Sequence, residues 1–150
     1  MTATSEQPAV PATSSTRAAE VATALPTARL LLTAAGAALA SAAAWTAAVS
    51  ASGHGDLVVE GAAGAALVAL VSAASLLALR PWRVRLVGDW AGPWLGGMLL
   101  RLLLTPILAW LLYSATPLRL APLMVGVAVA YVIVQISEAA AVALYLKRFT

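Results

Sequence analysis

At 150 residues, 62% of them hydrophobic and only 10% charged, the chain lacks the polar surface of a soluble domain, in which about a quarter of residues are charged. The absence of cysteine excludes a disulfide framework, a thiol nucleophile and a thiolate metal site. The net charge of +3 comes from Lys and Arg placed beside apolar runs, a pattern of membrane topology rather than of nucleic-acid binding.

The fold expected from this is all-α, an integral membrane four-transmembrane-helix bundle with a disordered N-terminal tail. Residues 1–28 (MTATSEQPAVPATSSTRAAEVATALPTA) are rich in Ala, Thr, Ser and Pro without a sustained apolar period, which assigns them to a disordered cytoplasmic tail. A transmembrane domain over 29–150 follows. Its four apolar segments lie at about 30–51, 57–79, 91–113 and 121–146, and each reaches the roughly 20 helical residues that a bilayer core requires.

The first span is uncharged and alanine-rich, which lets a neighbouring helix come close. Its end, AVSASG, also resembles a signal-peptide cleavage site, but the long polar stretch ahead of it and its membrane-spanning length favour a retained helix. The second span begins with Glu60, continues with Gly61 and Gly64, and places Ser72 and Ser75 on one face, together an interhelical surface. Between the first two spans, His54, Asp56 and Glu60 are the only grouping of metal-ligating type. Three ligands beside two glycines are an incomplete site, so a solvated turn is expected and no metal or other cofactor.

The connection between spans two and three, RPWRVRLVGDW, carries Arg80, Arg83 and Arg85. A topogenic loop is the first expectation, with anionic lipid headgroups or an acidic protein surface as alternative partners. With Arg17 and Arg29 before the first span and Lys147 and Arg148 after the last, seven basic residues fall on one side, against Arg119 on the other. Short basic segments stay in the cytoplasm, so both termini are expected there. Trp82, Trp90 and Trp94 near the basic boundary, and Tyr113 near the opposite one, are expected in the interfacial aromatic belts.

The third span opens GGMLLRLLLTP and encloses Arg101 about 15 Å from its start by helical rise. The fourth, YVIVQISEAAAVALYLKR, encloses Glu138 about 13 Å from the same membrane face. An isolated charge at mid-bilayer costs at least about 3 kcal/mol, and antiparallel helices bring these two level, which predicts an Arg101 to Glu138 ion pair. Gly97 and Thr105 share the Arg101 face, and Tyr131 and Gln135 share the Glu138 face, giving two halves of a polar seam. Gly92, Gly96 and Gly97 add room for close helix approach. Such a pair fixes helix register, binds a partner, or lines an ion path. No phosphate-binding loop, activated serine or histidine dyad, or HExxH motif is present, and no enzymatic activity is expected.

These features, four short spans with cytoplasmic ends, a basic central loop, Gly97-Met98-Leu99-Leu100-Arg101-Leu102 in the third span and YVIVQISEAA with Glu138 in the fourth, resemble ATP synthase protein I, the ATP synthase I chain. The resemblance covers about residues 30–148. It departs from the family in the second span, where Ser72 and Ser75 stand in place of a more polar, Asn-containing stretch. The resemblance implies a non-catalytic accessory protein of the F-type ATP synthase in the bacterial cytoplasmic (inner) membrane. Its partner would be the membrane sector, the c subunit foremost, whose ring it helps to assemble; a role in supplying magnesium or calcium is a further family proposal. Arg101 and Glu138 would then be the family's intramembrane charged positions. Two alternatives stand beside it: a small homo-oligomeric channel or transporter for magnesium or protons, lined by Glu138, Gln135 and Glu60, and a purely structural membrane protein. No nucleic-acid partner is expected.

Overall fold

The computed structural model describes residues 22–148. Four helices long and apolar enough to cross a membrane dominate it: α1 (Thr27–Ala51), α2 (Val58–Leu79), α3 (Ala91–Ala115) and α4 (Leu120–Leu146). The protein is a multi-pass, all-α membrane protein, as the run lengths of apolar residues require. Short connections join the helices. A 3₁₀ turn at Gly55–Leu57 leads into α2, and another at Val87–Trp90 leads into α3.

Helix ends follow local chemistry. Pro26 sits just before the first turn of α1, where its missing N–H costs nothing. Arg80 ends α2 in the left-handed conformation, with φ of 51°, and Pro81 after it cannot extend the helix. Pro106 lies inside α3 without interrupting it, although its ring removes the donor that the Leu102 carbonyl would otherwise receive.

The helices pack unequally. α1, α2 and α4 all contact one another closely, whereas α3 lies against α2 and α4 and stands diagonal to α1. The α2–α4 crossing is set by glycine. A Cβ on Gly126 would lie 2.9 Å from the Gly61 Cα, and one on Gly64 would lie 2.8 Å from the Val127 nitrogen, so no larger residue fits without parting the backbones. On its other side Gly61 is covered by the Trp45 ring, whose Nε1 donates to the Leu57 carbonyl at 2.8 Å. The interhelical surface expected from Gly61, Gly64, Ser72 and Ser75 is buried at all four positions. Leu30, Ala34, Val68, Leu76, Leu123, Val127 and Val134 complete the core.

At the end of the bundle where the basic residues gather, residues 22–25 form a short strap. Strand β1 (Ala22–Thr23) pairs antiparallel with β2 (Arg85–Leu86), and Leu25, 3% exposed, donates its N–H to the Pro81 carbonyl at 2.9 Å. The Trp90 Nε1 donates to the Thr23 carbonyl at 3.2 Å, and the Tyr145 hydroxyl to the Ala24 carbonyl at 3.1 Å. The disordered tail expected over 1–28 therefore needs correction in its described part: residues 22–28 are strand, strap and the start of α1, because their backbone groups find partners in the α2–α3 connection. Residues 1–21 of that expected tail lie outside the described residues. Trp90 also departs from expectation. It is buried at 3% exposure rather than facing lipid, and its indole N–H is committed to the strap.

Candidate functional site

α3 turns a single narrow stripe inward. Arg101, Thr105 and Ala109 recur every four residues and are its buried side chains, while Leu95, Leu99, Leu100, Leu102, Leu103 and Ile107 are exposed around it. On α4 the core stripe runs Leu123, Val127, Ala130, Val134 and ends on Glu138. Three- and four-residue steps keep these positions on one face, so the carboxylate occupies a core position and meets Arg101 head on.

Arg101 and Glu138 are 2% and 0% exposed, and the Arg101 Nη1 is ion-paired with the Glu138 Oε2. The same Nη1 donates to the Gln135 Oε1 at 3.2 Å. Around this centre several groups remain unused: the Arg101 Nε, the Glu138 Oε1 and the Thr105 Oγ1 have no hydrogen-bond partner among the described residues. The Tyr131 hydroxyl reaches the Met98 carbonyl at 3.5 Å, a weak bond at that length. The site is thus charge-neutral but incompletely satisfied, in a medium where each unmade hydrogen bond is costly.

The two helix faces expected to form a seam do meet through Arg101, Gln135, Glu138 and Tyr131. Gly97 does not belong to that contact: a Cβ there would meet Leu79 of α2 at 3.2 Å, so this glycine lets α3 approach α2. Gly92 and Gly96, also expected to serve close packing, have nothing within 4 Å of an added Cβ. Beyond the pair toward the opposite end, Leu102, Thr105, Pro106, Val127, Tyr131 and Val132 border an open groove of about 260 Å³ between α3 and α4.

Glu60 is buried at 6% exposure, and its Oε2 lacks a partner among the described residues. It lies level with Gly126, whose added Cβ would come 3.7 Å from the Glu60 carbonyl. Twelve residues of α4 separate that level from Glu138, about 18 Å by helical rise, and Val127, Ala130 and Val134 fill the interval. His54, Asp56 and Glu60 do not converge. Asp56 Oδ2 accepts from Arg119 Nη1 at 2.6 Å, His54 Nδ1 faces Ser52 Oγ at 3.3 Å, and no cluster of three metal-ligating side chains occurs among the described residues.

In the basic loop, Arg80 terminates α2, Arg83 is exposed, and the Arg85 guanidinium lies 5.2 Å from the Trp90 ring centroid, within cation–π range. The burial of Glu60 follows the four-residue steps it shares with Gly64, Val68 and Ser72, whereas the anchoring of the strap by Trp90 had no signal in the sequence. Comparison with protein-family models, curated proteins and solved structures finds no match to this chain.

Proposed function

We propose that the protein is a non-catalytic accessory protein of the F-type ATP synthase that assists assembly of the c-subunit ring, in the bacterial inner membrane with both termini cytoplasmic. The observation that carries this reading is Arg101. It is a buried cation on the helix with the fewest inward-facing side chains, paired with a carboxylate through only one of its nitrogens, with its Nε unused.

A c-subunit hairpin brings small residues and its own buried carboxylate into the bilayer. In lipid such a group is costly alone and is attracted to a guanidinium that has donors to spare. The exposed apolar side chains of α3 and the open α3–α4 groove offer an approach that requires no aqueous path. The gathering of the strap, the Arg80 to Arg85 loop and Lys147 to Arg148 at one end of the bundle supports cytoplasmic termini by the positive-inside rule. A cation path through Glu138, Gln135 and Glu60 has less support, because apolar side chains occupy about 18 Å between the two carboxylates and Arg101 repels cations at the deeper one.

The test is co-expression of the chain with an ATP synthase operon and quantification of assembled c ring against free c subunit. Arg101→Ala is expected to lower ring yield several-fold with membrane insertion of the c subunit unchanged. Undiminished ring yield from that variant would exclude the proposed mechanism.

A further inference from the structure

At the basic end, a notch of about 180 Å³ opens between the first turns of α1 and the last turn of α4. Arg29, Leu30 and Thr33 border it on one side, and Leu144, Tyr145 and Arg148 on the other. Arg29 is the third residue of α1, and Arg148 follows α4 by two residues. Both therefore lie at the membrane boundary, where lipid phosphates lie. Neither guanidinium has an ion-pair or side-chain hydrogen-bond partner among the described residues.

Among the described residues nothing acidic opposes them. Of Asp56, Glu60, Asp89 and Glu138, the acidic residues within 22–148, none borders the notch, and the first turn of α1 has no acidic side chain. One wall is held in place, since the Tyr145 hydroxyl donates to the strap at Ala24. Below the arginines the surface turns apolar: Leu144 is 68% exposed and Leu32 72%. A cationic mouth at headgroup depth above an exposed apolar ledge matches one kind of molecule, an anion that carries acyl chains.

We propose that this notch is a binding site for an anionic phospholipid, with Arg29 and Arg148 holding the headgroup phosphate and an acyl chain lying along α1 and α4 past Leu144. Two guanidiniums suit a phosphate because each presents a planar fork of donors to its oxygens. The site is separate from the Arg101 to Glu138 pair and independent of any role in ATP synthase assembly.

The experiment is native mass spectrometry of the full chain released from bilayers of phosphatidylcholine with a minority of phosphatidylglycerol, counting the lipids that stay bound. The wild type is expected to retain phosphatidylglycerol in preference to phosphatidylcholine. In R29Q/R148Q that retention should fall on the order of tenfold, since each juxtamembrane arginine strengthens anionic-lipid attraction severalfold. R80Q/R83Q removes the same charge from the same end and should retain the lipid as the wild type does; circular dichroism checks that both variants are folded. Equal losses in the two variants would reduce the effect to bulk electrostatics and overturn the site. So would absence of preference in the wild type. Displacement of the lipid by millimolar inorganic phosphate would overturn the lipid assignment and reassign the notch to a free phosphate ion.

Discussion

The α2–α4 crossing and the α3–α4 contact join the same helix to two neighbours by opposite means. At the first, Gly61, Gly64 and Gly126 remove side chains so that backbones touch, and the attraction is summed dispersion over a close, dry surface. At the second, α3 brings few buried side chains, one of them a cation, and its hold on α4 centres on the Arg101 to Glu138 pair. In lipid there is no hydrophobic force to press an apolar helix inward. A helix contact without close backbone approach leans more on its polar groups, and polar contacts can exchange partners where interlocked backbones cannot. Under the proposed assembly role, α3 is the element that would release its face to another protein.

The strongest way to break the comparison is to leave one charge alone. Glu138→Ala strands the Arg101 guanidinium among apolar side chains, and unfolding in a detergent titration is expected to show a loss of about 3–5 kcal/mol, the cost typical of splitting a buried pair. R101L/E138L should recover most of that loss, because two apolar residues replace two charges that had to be desolvated. Full stability of the double variant combined with lost ring assembly would separate a functional pair from a structural one. A double variant no more stable than Glu138→Ala would show that the pair itself holds α3.

Next in size is the glycine crossing. Gly126→Val pushes a branched side chain against the Gly61 backbone and is expected to cost about 1–3 kcal/mol in the same titration. Gly96→Ala on α3, with open space at its Cβ, should stay within about 0.5 kcal/mol of the wild type. Equal effects at the two positions would erase the distinction between the crossings. Arg119→Ala is expected to have a small effect as well. The Arg119 and Asp56 side chains are 62% and 55% exposed, and their loss is expected to change stability by less than about 1 kcal/mol, measured as the shift in thermal midpoint.

The sequence by itself determined the number of spans, their ends to within a few residues, and the matching levels of Arg101 and Glu138. These are local quantities: apolar run length against bilayer thickness, and residue count times helical rise. It also marked Gly61 and Gly64 as a packing face, because small residues in a lipid-facing sequence have little other use. Only the tertiary structure decided which helices are neighbours. Helices apolar on every side carry no stripe that says which face points inward, so Gly97 could be assigned to the Arg101 seam from spacing yet face Leu79, and α3 gave no sign of standing outside the close-packed trio. The strap at residues 22–25 was likewise invisible, since two short strands without a period acquire their hydrogen bonds from a loop some 60 residues away in the chain. The same holds for the arginine notch, whose two cations come from opposite ends of the transmembrane domain and meet because an even number of spans returns the chain to the face on which it began.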